Sequence, residues 1–140
     1  MSEQIFNKIH DLLSKNGAKF RVIEHESART SEEVAKIRGT KMSQGAKALV
    51  CSIKGVSEEK FRQIFKDENV LDGYLLDDEK PAMKAGKIYL LAVLPADEQA
   101  DLDALTQKFD GKRASLASPE EVTALADCVF GSVPPFSFHK

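Results

Sequence analysis

The chain has 140 residues, of which 42% are hydrophobic and 30% are charged, a length typical of one domain with one buried core. Its net charge of -2 argues against a protein that coats nucleic acid by charge alone. No apolar run reaches the ~18 residues of a membrane span and the amino terminus lacks the apolar stretch of a signal peptide, so we expect a cytoplasmic protein.

The distribution of charge bears on nucleic-acid binding, and the number of cysteines and histidines bears on metal binding. Residues 1–70 carry 13 basic and 10 acidic side chains, and residues 71–140 carry 7 and 12. An acidic protein can still hold RNA on a local basic patch, although an ordinary solvated surface is the favoured explanation of this split. Two cysteines and three histidines are too few for a disulfide framework or a zinc site, so no metal or cofactor is expected.

The first predicted elements are a helix and a short strand. Apolar residues at helical spacing between Ile5 and Leu13 predict the helix. Ser2 is a suitable N-cap, and Asn16-Gly17 is a suitable stop. The β-prone run Phe20–Ile23 predicts a strand after it.

A second helix and the clearest strand follow. Thr30 and Glu33 fit a capping box that starts the helix, and Gly39 ends it. The run Ala46–Ile53 predicts a strand. Alternation along that strand places Lys47 on the same face as three apolar residues.

The second half of the chain predicts further helices and one more strand. Residues 57–67 have a helical apolar face, and Lys87–Leu94 is a nearly continuous apolar run typical of a central strand covered on both faces. Asp101–Phe109 predicts a helix, and Ser118–Glu121 predicts the start of another, with a cap, a proline and an acidic first turn. Residues 128–140 predict a strand or a loop. This order predicts an α/β protein of the α+β type, with a mixed β-sheet wrapped by helices.

Several well-known catalytic motifs are missing from the sequence. It has no GxxxxGK[ST] or GxGxxG motif for phosphates, and no GxSxG nucleophile elbow. A cysteine nucleophile, Cys51 or Cys128 paired with His25, stays open at this point. Both cysteines lie in apolar, strand-like runs, where a buried and inert thiol is the common case.

Three segments together resemble one known family. They are HESARTSEEVAKIRG at His25–Gly39, GAKALV at Gly45–Val50, and SPEEV at Ser118–Val122 followed by GSVPPF at Gly131–Phe136. In this order and spacing they resemble the YbaK/ProX family, the free-standing relatives of the editing domain in bacterial prolyl-tRNA synthetases. The RTSEE and GAKA segments look like the branch that includes Ser/Thr-type and broad-specificity deacylases.

The resemblance implies a fold, an activity and a domain organisation. The fold would be a mixed sheet wrapped by helices, and the activity would be hydrolysis of the ester between a wrong amino acid and the terminal adenosine of tRNA. The whole chain, 1–140, would form a single deacylase-like domain that lacks C-terminal elements present in relatives. The segment 56–85 looks longer than the corresponding link in the family.

The resemblance also implies site residues. The family's important lysine carries over to Lys47, and its GxxxP loop carries over to Gly131–Pro135, which makes Lys47 and Gly131 the candidate catalytic residues. Arg29 and Lys47 would contact the tRNA. The remaining residues would bind the aminoacyl end of the substrate: His25, Thr30, Ala48, Ser132, Val133, Pro134 and Pro135.

These residue types suit ester hydrolysis. Backbone N–H groups in a glycine-containing turn can stabilise the oxyanion of a tetrahedral intermediate, and Gly131 lets the substrate approach closely. Pro134 and Pro135 would stiffen that turn. Lys47, on an apolar face, would present a partly desolvated positive charge to the phosphate or ester of the tRNA end. By resemblance to the family, a ribose hydroxyl of the substrate orients the water.

Each of these residues also has an ordinary structural interpretation. Lys47 could be a strand lysine that reaches solvent, and Gly131–Pro135 could be a simple turn. His25 could be a polar residue at a strand end, Thr30 a helix cap, and Arg29 a surface charge.

The sequence therefore leads to one main hypothesis and two alternatives. The main one is a metal-free, trans-editing deacylase that removes a small amino acid (Ser, Thr, Ala, Cys or 2-aminobutyrate), because Ala48 beside the lysine suggests a small pocket. Its partner would be the acceptor end of mischarged tRNA, not DNA or a membrane, and an aminoacyl-tRNA synthetase is left open as a second partner. The alternatives are a non-catalytic aminoacyl-tRNA-binding module, or truncated inactive relative, and an interaction domain without a pocket.

Overall fold

A computed structural model describes residues 2–28, 30–57, 59, 60, 63 and 87–136 of the chain. Within these residues no helix is long and apolar enough to cross a membrane. The described elements, in chain order, are α1 (Glu3–Lys15), α2 (Ser31–Arg38), a short 3-10 helix (Met42–Gln44), β1 (Ala46–Lys54), β2 (Lys87–Pro95), α3 (Leu102–Lys108), β3 (Arg113–Leu116) and α4 (Pro119–Ala126).

The ends of α1 lie where the sequence predicts them. The Ser2 hydroxyl accepts a hydrogen bond from the Ile5 N–H at 3.3 Å, which satisfies one of the free donors of the first turn. Asn16 is the C-cap, and Gly17 follows it with a φ of 65°. The predicted N-cap and stop of this helix are confirmed.

Capping boxes start two of the other helices. Thr30 and Glu33 exchange side-chain and backbone hydrogen bonds at the start of α2, and the left-handed Gly39 ends it. Ser118 and Glu121 form the same reciprocal pair at the start of α4, where Pro119 occupies the first helical position. Both predicted starts are confirmed.

The described strands form a three-stranded sheet in the order β2-β1-β3. β1 and β3 are antiparallel, and Cys51 lies opposite Leu116. The Ala96 N–H donates to the Gly45 carbonyl oxygen at 2.9 Å and joins the end of β2 to the start of β1, so this pair also runs antiparallel. The α+β class predicted from the sequence is confirmed.

The chain divides into two compact units. The first contains Met1–Leu49, Leu91–Gln99 and Ser118–Lys140, and the second contains Val50–Leu90 and Ala100–Ala117. Whether the chain acts as the single domain that the sequence predicts stays a prediction.

The second unit has its own apolar core. Ile53, Val56, Ile88 and Ala114 form the buried cluster, and side chains of α3 pack against it. Gly111 lies directly on this core, since a Cβ built at this position would be only 2.4 Å from Ile53 Cγ2. A glycine is therefore required there by the close approach of the chain to Ile53.

Two expectations about the strands were wrong, and one strand was not predicted. Phe20–Ile23 forms no strand; its three apolar side chains are 40–51% exposed, so β propensity without a partner strand was not enough. In the described sheet β1, not β2, is central, and Val93 of β2 is 50% exposed. β3 was not predicted, because Arg-Ala-Ser-Leu is short and weakly β-prone and becomes a strand by pairing with β1. The helix predicted over 57–67 falls mostly outside the described residues.

Candidate functional site

Lys47 lies near the start of β1, in the first unit, and its side chain is half-buried. Its ammonium group donates a hydrogen bond to the main-chain carbonyl oxygen of Glu98, just after β2. Glu98 belongs to a tight turn, in which its N–H donates to the Pro95 carbonyl oxygen at 3.0 Å. A lysine that simply reached into solvent would have no such partner, so the ammonium of Lys47 is held at a defined position.

The loop after α4 contains the GSVPP segment. Gly131 adopts a φ of 87°, a backbone conformation that residues other than glycine rarely adopt. The Val129 carbonyl oxygen accepts two hydrogen bonds from Ser132, one from its N–H at 3.0 Å and one from its hydroxyl at 2.9 Å. Pro134 is buried. The loop thus has a fixed turn and a buried anchor, which is what an oxyanion-binding backbone requires.

The remainder of the loop is more open. Ser132 and Val133 are half-buried, whereas Pro135 is exposed. A Cβ built on Gly131 would meet no atom within 4 Å. As far as the described residues show, the glycine is therefore required by its backbone conformation and not by crowding.

His25 is exposed and lies against Arg38 of α2. The ring Nδ1 is 2.7 Å from the Glu26 carbonyl oxygen, which can only accept, so Nδ1 carries the proton. Nε2 then accepts from the Arg38 guanidinium, whose Nε and Nη2 lie 3.4 and 3.3 Å away. These contacts fix the orientation of the ring.

The three other predicted binding residues have different outcomes. Thr30 is the N-cap of α2 and is exposed, so its capping role is confirmed and its substrate contact stays a prediction. Ala48 is half-buried on β1, next to the lysine in sequence. Arg29 lies outside the described residues.

The two cysteines do not have the surroundings of a nucleophile. Cys51 is 0% exposed and Cys128 is 2% exposed. Burial raises the pKa of both thiols. A raised pKa disfavours the reactive thiolate, so the structure favours the buried and inert interpretation for both.

The structure places all the described candidate residues in the first unit. β1 contributes Lys47 and Ala48, the segment around the start of α2 contributes His25 and Thr30, and the loop after α4 contributes Gly131–Pro135. Within the described part of the chain, no three His, Cys, Asp or Glu side chains lie close enough together to hold a metal ion.

Two partners of these residues were missed by the sequence reasoning. The carbonyl of Glu98 is a main-chain group, which no side-chain pattern can reveal, although Pro95 correctly marked the end of the strand before it. Arg38 was assigned only to the second helix. Arg38 lies at the opposite end of α2 from the capping box, about two turns away, so local spacing gave no signal of its contact with His25.

Comparison with known proteins identifies the family. The model of the aminoacyl-tRNA editing domain matches residues 65–140. The chain belongs to this family, and the resemblance to YbaK-type proteins is confirmed.

Individual relatives agree with this assignment. The chain is 44% identical over 128 residues to the multifunctional Ser/Thr-tRNA deacylase ProXp-y of Escherichia coli K12 and, to the same extent, to that of Escherichia coli O157:H7. The match covers 91% of this chain and 60% of the relative, so the chain spans about three-fifths of the length of these curated relatives. The crystal structure of hypothetical protein APE2540 has a TM-score of 0.61 at 20% identity and covers 92% of this chain and 65% of that one, which shows a shared fold.

Proposed function

We propose that this chain is a trans-editing deacylase that hydrolyses the ester between a small, wrongly attached amino acid and the end of tRNA. The observation that carries the proposal is the 44% identity over 91% of the chain to a Ser/Thr-tRNA deacylase. The held ammonium of Lys47 and the left-handed turn at Gly131 support it.

The catalytic requirement is modest, because an aminoacyl ester is already activated toward hydrolysis. A water molecule adds to the ester carbonyl, the bond to the ribose oxygen breaks, and that oxygen takes up the proton. The products are free amino acid and uncharged tRNA. The protein's work is to hold the ester, stabilise the negative charge of the tetrahedral intermediate and admit one water.

Lys47 and the Gly131 turn divide this work. The ammonium of Lys47 supplies positive charge to the phosphate or the ester oxygen of the tRNA end. The N–H groups of Gly131 and Val133 bind the oxyanion, since the Ser132 N–H donates to the Val129 carbonyl oxygen and prolines have no N–H. Each such donor typically lowers the barrier by ~3–4 kcal/mol. Arg29 adds a further contact to the tRNA backbone. A ribose hydroxyl of the substrate orients the water.

The proposed substrates are tRNAs charged with amino acids that have small side chains. The 44% identity to a Ser/Thr-tRNA deacylase favours an amino acid of the size of Ser, Thr, Ala, Cys or 2-aminobutyrate. The half-buried Ala48, whose side chain lies on the other face of β1 from Lys47, stays a candidate binding residue. One methylene changes binding by only ~1–3 kcal/mol, so we expect activity on several of them. The reaction takes place in the cytoplasm, where charged tRNA is found, and a synthetase that supplies the mischarged tRNA is a natural partner.

A deacylation time course tests the proposal. Purified chain would be mixed with tRNA charged with Ser, Thr, Ala, Cys, 2-aminobutyrate or Pro, and the remaining aminoacyl-tRNA would be measured by acid precipitation. We expect one or a few small amino acids to be released faster than in buffer alone. Tight tRNA binding without hydrolysis would replace the proposal with a binding module, and the absence of both would replace it with an interaction domain.

A further inference from the structure

We propose that the turn Pro95–Glu98, hereafter the 95–98 turn, is the device that positions Lys47 for its reaction. The inference rests on the proposed function for the chemical role of Lys47, and on the described contacts for the rest. No side chain of the turn is required; the group that acts is the Glu98 carbonyl, to which the ammonium of Lys47 donates.

The turn is bonded at two points on either side of Ala46, the first residue of β1. The Ala96 N–H donates to the Gly45 carbonyl oxygen at 2.9 Å, and the ammonium of Lys47 donates to the Glu98 carbonyl oxygen. The hydrogen bond from the Glu98 N–H to Pro95, at 3.0 Å, closes the turn. These three hydrogen bonds link the turn to Gly45 and to the side chain of Lys47. The Glu98 carbonyl therefore cannot move without breaking or bending one of them.

Gly45 makes this close approach feasible. Its φ of -78° is open to any residue, so its conformation does not require glycine. A Cβ at this position would lie 3.1 Å from the Ala96 Cβ and 3.3 Å from the Met42 carbonyl oxygen, tighter than ordinary contacts. The glycine that opens the GAKALV segment is thus needed to seat the turn against β1.

The choice of a carbonyl has a chemical consequence. A carboxylate would also orient the ammonium, but it would cancel the positive charge that the substrate needs. A neutral carbonyl orients the group and leaves its charge intact. Among the residues that the structure describes, the ammonium makes no other hydrogen bond, so two of its three N–H donors can serve the ester or the phosphate. A long, flexible side chain is thereby ordered before the substrate binds, so less has to be ordered in the transition state.

Kinetics on four variants test the proposal. Glu98→Pro removes the N–H that closes the turn, Lys47→Ala removes the ammonium, and the double variant removes both. Asp97→Ala changes an exposed side chain in the same turn and serves as the control. We expect Glu98→Pro to lower kcat by about 10²-fold with little change in KM, as a misplaced reacting group does. Asp97→Ala should behave as the wild type.

The double variant separates positioning from general damage. If the turn acts through Lys47, Glu98→Pro causes no further loss of kcat once Lys47 is alanine. Equal losses from Glu98→Pro in both backgrounds, or a wild-type kcat in the single variant, would overturn the proposal.

A nuclear magnetic resonance measurement needs no activity and keeps the two proposals distinguishable. Held in one place, the two Hε protons of Lys47 have different chemical shifts; in a freely rotating side chain they coincide. We expect two shifts in the wild type and in Asp97→Ala, and one in Glu98→Pro. One shift in the wild type would overturn the positioning role. Two shifts in a protein without deacylase activity would support positioning and contradict the proposed function.

Discussion

Ser52 of β1 and Ser115 of β3 face each other across the strand pair, with their hydroxyl oxygens 3.1 Å apart. Ser52 is only 2% exposed. Because a buried hydroxyl must find a partner, this pair favours one register of the two strands over any shift by one residue.

Replacement of Ser52 by alanine tests the importance of this pair. We expect Ser52→Ala to lower the free energy of unfolding by about 1 to 2 kcal/mol, because Ser115 loses its partner. The double variant Ser52→Ala, Ser115→Ala should recover part of that loss, since no unpaired hydroxyl remains. Urea denaturation measures both, with the exposed Ser43→Ala as control. A double variant less stable than the sum of the singles would contradict the pairing.

Thr30 can be assigned to its helix or to the substrate by two substitutions. Thr30→Ala removes the cap of α2 and should lower the free energy of unfolding by about 1 kcal/mol. Thr30→Ser keeps the capping hydroxyl and should retain both stability and deacylation rate. Thermal unfolding and a deacylation assay check both variants. A stable Thr30→Ser protein with a raised KM would show that the methyl group contacts the substrate.

Gly131 offers a prediction with a matched control elsewhere in the chain. At a φ of 87°, Gly131→Ala should cost about 1 kcal/mol of stability and slow deacylation, because the loop amides turn away from the oxyanion. Gly17→Ala is the control, since Gly17 has a φ of 65° and a Cβ there also meets no atom within 4 Å. It should lose similar stability and keep full activity. Equal activity of the two variants would remove Gly131 from the site.

The first turn of α4 gives a pH dependence. Hydrogen bonds from its own backbone N–H and from Ser118 lower the pKa of Glu120 below its usual range. A lowered pKa means that the ionised form stabilises the folded state above about pH 4.3, and that this contribution is lost as the pH falls through the folded-state value. Glu120→Gln should therefore be less stable than the wild type at pH 7, and this difference should shrink as the pH falls through the folded-state pKa of Glu120. Urea unfolding across that range checks this, and a gap that stays constant with pH would contradict it.

Local signals predicted the helices well, because caps act over a few residues. Ser2, Thr30 and Ser118 were identified as N-caps from neighbours within one turn, and each accepts the expected hydrogen bond. Strands depend on partners far away in the chain. This is why Phe20–Ile23 was wrongly assigned and β3 was missed: its pairing with β1 spans about 60 residues.

The candidate site shows the same difference between local sequence signals and contacts made by distant parts of the chain. Lys47 and the Gly131 loop were identified as candidates through the resemblance of GAKALV and GSVPPF to the YbaK/ProX family, and their roles stay predictions. The partner of Lys47 was not identified, because a main-chain carbonyl at Glu98 leaves no mark in the residue types. Its position follows from the turn after β2, and that turn is placed by tertiary structure.

The most direct test of this account compares two lysines of the same strand. Lys47 and Lys54 lie on opposite faces of β1, and Lys54 is exposed. Deacylation of Ser- and Thr-charged tRNA would be measured for the wild type, Lys47→Ala and Lys54→Ala under single-turnover conditions. We predict a loss of about 10²-fold or more for Lys47→Ala and a wild-type rate for Lys54→Ala. Equal rates for all three proteins would contradict the assignment of Lys47 as the group that drives ester hydrolysis.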